Sequence, residues 1–145
     1  MSEVVSKVAA MRPDGMLLMG QRRDNGKFSL PGGHLDDGEH PEMAAHRELG
    51  EETGLDTDVM HHLGTKDVKD GAVRVHAYQC DVSGEPDGDQ DPDGEFQKFV
   101  WVDPENMPRE VMSNLHNSPD VVLELIGANG KPWASMHAEP DQDDA

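Results

Sequence analysis

Three glutamates, Glu48, Glu51 and Glu52, stand at i, i+3 and i+4 within the run Pro41 to Thr53. On a helix each residue advances about 100° around the axis, so this spacing sends all three carboxylates out from one face. Like charges placed in this way repel, at roughly 0.2–0.5 kcal/mol per i,i+4 pair. A hard divalent cation is the natural compensation, because Mg²⁺ takes carboxylate oxygens, keeps several waters and bridges to phosphates. Arg47, one turn before Glu51, offers a competing arrangement: a solvated acidic face held by an Arg47–Glu51 pair. Spacing alone leaves both open.

The elements that must position these side chains can be read around them. Pro41 suits a first helical position, where its missing N–H has no partner to lose. Ala44, Ala45 and Leu49 supply a packing face, and Gly54 stands where a left-handed cap would stop the run. The spacing therefore predicts a helix over Pro41 to Thr53, with the glutamates opposite its apolar side. Ahead of it, Leu30-Pro31-Gly32-Gly33 ends a short apolar run, and the paired glycines allow a tight bend that brings backbone close to whatever the helix binds. Asp36-Asp37-Gly38-Glu39 follows as a polar turn. Strands are expected at Val4 to Met11 and Met16 to Arg22, joined as a hairpin by Arg12-Pro13-Asp14-Gly15. Further strands are expected at Val59 to Thr65, Val73 to Asp81 and Phe96 to Val102, with a C-terminal helix at Pro119 to Ile126. Strands interleaved with helices make a layered α+β or α/β domain.

The chain has 145 residues and a formal charge of −18, which suits one domain and argues against a basic face gripping a nucleic-acid backbone. Free nucleotides remain open to it, since a metal can supply the positive charge that the side chains lack. A dense acidic surface also fits a high-salt milieu, where it would be screened; an ordinary acidic protein is the alternative. No apolar run is long enough for a membrane span and no leader pattern is present, so neither a membrane association nor export is expected. Cys80 is the single cysteine, which excludes an internal disulfide and fits a reducing compartment. The expected location is the cytoplasm. Residues 133–145 form a polar, acidic tail expected to be disordered, after one domain over residues 1–132.

The segment Gly33 to Leu55 resembles the signature of the Nudix hydrolases, G-x5-E-x7-R-E-U-x-E-E-x-G-U, where U is bulky and apolar. Gly33, Glu39, Arg47, Glu48, Leu49, Glu51, Glu52, Gly54 and Leu55 fill its defined positions with both spacers at the right length. The resemblance implies an α/β fold, the Nudix α/β/α sandwich around a mixed sheet. It also implies an enzyme that cleaves a nucleoside diphosphate linked to another group. Carried over residue by residue, Glu48 and Glu52, with Glu51 and the Gly32 carbonyl, would hold one or more Mg²⁺ or Mn²⁺ ions. Arg47 would orient that cluster, Glu39 would support the loop, and Gly33 would bring backbone to the substrate. The family often places one more acidic residue before a late strand. Glu95, just ahead of Phe96, takes that place as ligand or general base, with Asp93 the competing choice.

Weaker signals surround this set. Arg22 and Arg23 end the second strand near the glycines and are candidate donors to a substrate phosphate, or surface partners of acidic side chains. Phe28 is a candidate platform for a base, or a core residue. Asp89, Asp91, Asp93 and Gly94 imitate the start of a calcium loop, but Val100 occupies the position where an EF-hand needs its glutamate. The histidines show no metal-ligand spacing.

The substrate expected from the resemblance is a small-molecule nucleotide, foremost a nucleoside triphosphate or oxidised dNTP cleaved to monophosphate and pyrophosphate. Nucleoside diphosphate sugars, capped RNA and dinucleoside polyphosphates are the alternatives within the class, and a catalytically silent nucleotide sensor is the alternative outside it. Relatives often pair as homodimers, yet no surface in this sequence identifies an interface.

Overall fold

The computed structural model describes residues 3–87 and 94–116. The expected helix over Pro119 to Ile126, the acidic tail and the calcium-like aspartates up to Asp93 lie outside the described residues.

Strands β1 (Glu3–Met11) and β2 (Leu17–Arg22) flank the expected turn, closed by hydrogen bonds from Gly15 N–H to the Arg12 carbonyl at 2.8 Å and from Arg12 N–H to the Met16 carbonyl at 2.9 Å. Gly15 has φ +86°, which a side chain would strain. The hairpin is short-lived. Met11 and Leu17 are its paired residues, and beyond them β1 turns to other neighbours while β2 pairs along its length with β7 (Phe96–Val102). The two short strands β3 (Phe28–Ser29) and β4 (Gly32–His34) occupy the divergence, β3 against β2 and β4 against Val5 to Lys7 of β1.

On its other edge β1 runs parallel to β6 (Val73–Asp81), which pairs antiparallel with β5 (His61–Val68). The sheet is therefore mixed, and with a helix against it the domain is of the α/β class. Strand β5 starts two residues later than the sequence suggests. Val59 is exposed, and the strand's alternation slips at a bulge between His62 and Gly64, which blurs its period.

Helix α1 (Pro41–Thr53) has the expected bounds, with Pro41 in its first turn and Gly54 capping it at φ 74°. Ser6 Oγ donates to the Pro41 carbonyl at 2.7 Å and fastens the helix start to β1. Alternate residues of β1 feed two core layers, as the pleat requires. Val8 and Ala10 meet Ala45, Leu49 and Leu55 under α1. Val5, Ala9 and Met11 face the other way, packing with Leu17, Met19, Phe28 and Leu30, and with Val111 of the four-residue helix α2 (Arg109–Met112).

Candidate active site

The three glutamates of α1 do not share one environment. Glu52 follows Ala45 and Leu49 at i+7 and i+3, so it belongs to the packed stripe, and it is 2 % exposed. The Glu48 side chain lies at the boundary, 13 % exposed, and that of Glu51 points outward at 40 %. The sequence expectation of an acidic face opposite an apolar one is thus corrected, because Glu52 sits among the residues that pack. The i,i+3,i+4 spacing spreads the trio from interior to solvent.

What lets a carboxyl into the interior is the glycine strand. Gly32 N–H donates to Glu52 Oε1 at 2.9 Å. Gly32 has φ +144°, and a Cβ there would overlap the Ser6 carbonyl oxygen. A Cβ on Gly33 would stand 2.6 Å from Glu48 Oε2. Both glycines are therefore set by close approach, Gly32 to β1 and Gly33 to the helix carboxylate. They form strand β4 rather than the open loop expected of them.

Glu52 Oε2 is buried and meets no hydrogen-bond donor. Glu95 and Glu48 are among its charged neighbours, so burial first and their negative charge next push the Glu52 pKa up to about 10, against the pull of the Gly32 N–H. The Glu48 carboxyl is also raised, by burial first, while contact with Glu52 and the Arg47 charge oppose it. Glu95 thus joins Glu48 and Glu52 although it lies far along the chain, ahead of β7. Arg23 fixes this approach. Its N–H donates to the Glu95 carbonyl at 2.9 Å, and its guanidinium donates to the carbonyls of Gly94 at 2.9 Å and Phe96 at 3.2 Å. Arg22 forks onto Asp24 at 3.0 and 2.8 Å and reaches Glu95 Oε2 at 3.4 Å.

Arg47 organises the outer side. It donates to Glu39 at 2.8 and 2.9 Å, to Glu51 at 3.1 Å, to Glu48 at 3.3 Å and to the His34 carbonyl at 3.1 Å. Glu39 in turn accepts from Asp36 N–H at 2.8 Å, and the Arg47 guanidinium holds its pKa below the usual carboxylate range. Glu51 thus takes the competing arrangement that its spacing allowed, a pair with Arg47.

Among the described residues, no group of three or more His, Cys, Asp or Glu side chains is gathered closely enough to hold a metal ion as it stands. The donor set nonetheless fits a hard divalent cation. A buried carboxyl oxygen without a donor, beside two further carboxylates, is satisfied by a cation as by a proton, and Mg²⁺ is commonly held by one or two carboxylates plus substrate oxygens.

Two further placements matter. Phe28 is 3 % exposed, within the core, and bridged to Leu115, which leaves it no open face for a base and corrects its candidacy as a stacking platform. Lys7 was not singled out from the sequence. A lysine in the inward set Val5, Lys7, Ala9, Met11 was the available signal. Its Nζ lies 3.3 Å from the Leu30 carbonyl and 3.5 Å from Ser29 Oγ.

The NUDIX domain family model matches residues 2–123. A MutT-like protein of Streptomyces ambofaciens is 36 % identical over 98 residues, which cover 67 % of this chain and 61 % of that one. A putative 8-oxo-dGTP diphosphatase of Bacillus subtilis is 30 % identical over 108 residues, covering 74 % and 70 %. The chain thus spans about three fifths of the length of the first of these relatives. The crystal structure of a MutT NUDIX hydrolase from Burkholderia pseudomallei superposes with a TM-score of 0.69 at 27 % identity, covering 87 % of this chain and 98 % of the other.

Proposed function

The chain belongs to the Nudix hydrolase family, and from that premise we propose that it is a divalent-metal-dependent pyrophosphohydrolase of nucleotides. The substrate we favour is a nucleoside triphosphate or oxidised dNTP, cleaved to monophosphate and pyrophosphate. The observation that carries this reading is Glu52, a buried carboxyl whose Oε2 lacks a donor, set against Glu48 and Glu95 beside the Gly32-Gly33 strand. A structural acidic helix would have no use for a carboxyl in its packed stripe, because keeping such a group protonated costs about 3 kcal/mol at pH 7 and a leucine would carry no such cost.

Glu48, Glu52 and Glu95, with the Gly32 carbonyl, would hold Mg²⁺ or Mn²⁺. When bound, such an ion neutralises phosphate charge and lowers the pKa of a water near it. The remaining work falls to the chain itself. Arg47 keeps Glu48 in place through a fork that also ties down Glu39 and Glu51, so that the carboxylate facing Gly33 is preorganised. Gly33 leaves room for Glu48 Oε2, and Gly32 orients Glu52 by donating to Oε1. As water attacks phosphorus in line, its oxygen bonds to phosphorus while the bridging P–O bond breaks and pyrophosphate departs. A carboxylate of the Glu48, Glu52, Glu95 group takes the proton. Glu48 and Glu52 are in contact and both raised, so a proton they hold belongs to the pair rather than to one member. Arg22, already turned toward Glu95, is placed to meet a phosphate oxygen, whereas Arg23 acts by holding residues 94–96. Among the described residues no helix is long and apolar enough to cross a membrane, and the cytoplasm is the location we propose.

A nucleotide panel assayed with Mg²⁺ and with Mn²⁺, resolving phosphate from pyrophosphate, tests the reading. Release of pyrophosphate from a triphosphate is the expected result. Binding without turnover across the panel would overturn it in favour of a sensor.

A further inference from the structure

Lys7 is a cation inside a strongly acidic protein, placed where a solvated lysine gains nothing. It leaves β1 on the side of Val5 and Ala9, and its register partner across the strand pair is Gly32, whose N–H is bonded to Glu52. Lys7 therefore stands one strand away from the carboxyl at the centre of the site. Its ammonium has three protons to donate, yet its two contacts, at 3.3 and 3.5 Å, are long and go to neutral oxygens. Among the described residues it forms no ion pair. Of the two neighbouring cations, Arg22 is shared between Asp24 and Glu95, and Arg23 is taken up by two carbonyls. A half-buried ammonium with weak neutral partners is costly, and an anionic oxygen arriving beside it would offset that cost. The charges that bear on it are those of Glu52, Glu95, Arg22 and Glu48, the same carboxylates that the hydrolase reading assigns to the reacting phosphates among them.

Resting on the reading of the preceding subsection, we propose that Lys7 is a substrate-binding residue whose ammonium donates to a phosphate oxygen beside the Glu48, Glu52 and Glu95 group. A lysine suits this position because its charge is compact and its three donors rotate to follow the oxygen. Lys7 supplies the positive charge that Arg22, forked onto Asp24, can provide only in part.

The test uses the full chain and its Lys7→Met and Lys7→Arg variants. KM and kcat are measured on a triphosphate that the wild type cleaves, and the affinity for inorganic pyrophosphate with Mg²⁺ is measured by calorimetry. Lys7→Met is expected to raise KM and weaken pyrophosphate binding by about 10- to 100-fold, the range for losing a charged hydrogen bond, with Lys7→Arg recovering part of both. Circular dichroism checks folding, and Lys7→Gln replaces Lys7→Met if the latter does not fold. Values within twofold of wild type would overturn the assignment while leaving the hydrolase reading intact. A raised KM with unchanged pyrophosphate binding would move Lys7 to the base and overturn it equally. A wild type that cleaves nothing fails at the earlier step, and both readings fall together.

Discussion

Replacing Glu52 by glutamine should make the protein more stable at neutral pH and remove its activity at once. The folded pKa of about 10 stands above the ordinary 4.5, so the folded state holds a proton that the unfolded chain has released. For a carboxyl with a raised pKa, the unfolded state gains as pH climbs, and stability is lost progressively from about 4.5 to about 10. Each pH unit in that window costs about 1.4 kcal/mol, which comes to about 3 kcal/mol at pH 7. Glu48, also raised and in contact with Glu52, shares this cost, so the recovery in Glu52→Gln should lie on the order of 1–3 kcal/mol. The amide keeps the acceptor for Gly32 N–H and turns an NH₂ toward the two carboxylates, where Oε2 had no donor. Urea unfolding in EDTA reads the effect: the midpoint of Glu52→Gln should exceed that of wild type at pH 7 and 8, and the two should converge near pH 4.5. A Glu52→Gln midpoint at or below wild type at pH 8 would refute the placement of a proton-holding carboxyl in the helix's packed stripe.

Other perturbations probe the parts around it. Gly33→Ala has no positive φ to violate but meets Glu48 Oε2 at 2.6 Å, so kcat should fall by about 10²-fold while urea stability drops by only about 1–2 kcal/mol. Arg47→Ala should cost roughly 1.5–3 kcal/mol in urea unfolding, because Glu39 and Glu48 lose a charged partner, and Arg47→Lys should rescue little of it since one ammonium cannot replace the fork. If the charge of −18 is an adaptation to salt, raising KCl from about 0.1 to 2 M should lift the melting temperature by about 2–8 °C, and a flat series would dismiss that idea.

Much of the fold was legible wherever a local rule decided it. Pro41 and Gly54 bound α1 as expected, and Arg12-Pro13-Asp14-Gly15 closes the β1–β2 turn. The strands of weak period were harder. The His62–Gly64 bulge displaced β5, and β3 and β4 are too short for alternation to register. At the site, the spacing of Glu48, Glu51 and Glu52 left a metal-binding face and a solvated acidic face both open, and it did not show how the three divide between interior and solvent. Which glutamate is buried depends on how α1 rotates onto β1 and β4, and that rotation is a tertiary property. Glu95 was placed by its position before β7, and its meeting with Glu52 depends on Arg23 holding residues 94–96. Lys7 escaped notice because a single charged residue in a strand looks like an outward-facing one until its neighbours are in place.

We propose Glu48, Glu52 and Glu95 as one carboxylate site for a divalent cation. Titration of Mn²⁺ followed by electron paramagnetic resonance of the free ion, on wild type, Glu52→Gln and Glu48→Gln, tests this most directly. Loss of one carboxylate ligand should weaken the wild-type site by about 10-fold or more in each variant, both remaining folded. Equal Mn²⁺ affinity in all three proteins would contradict it.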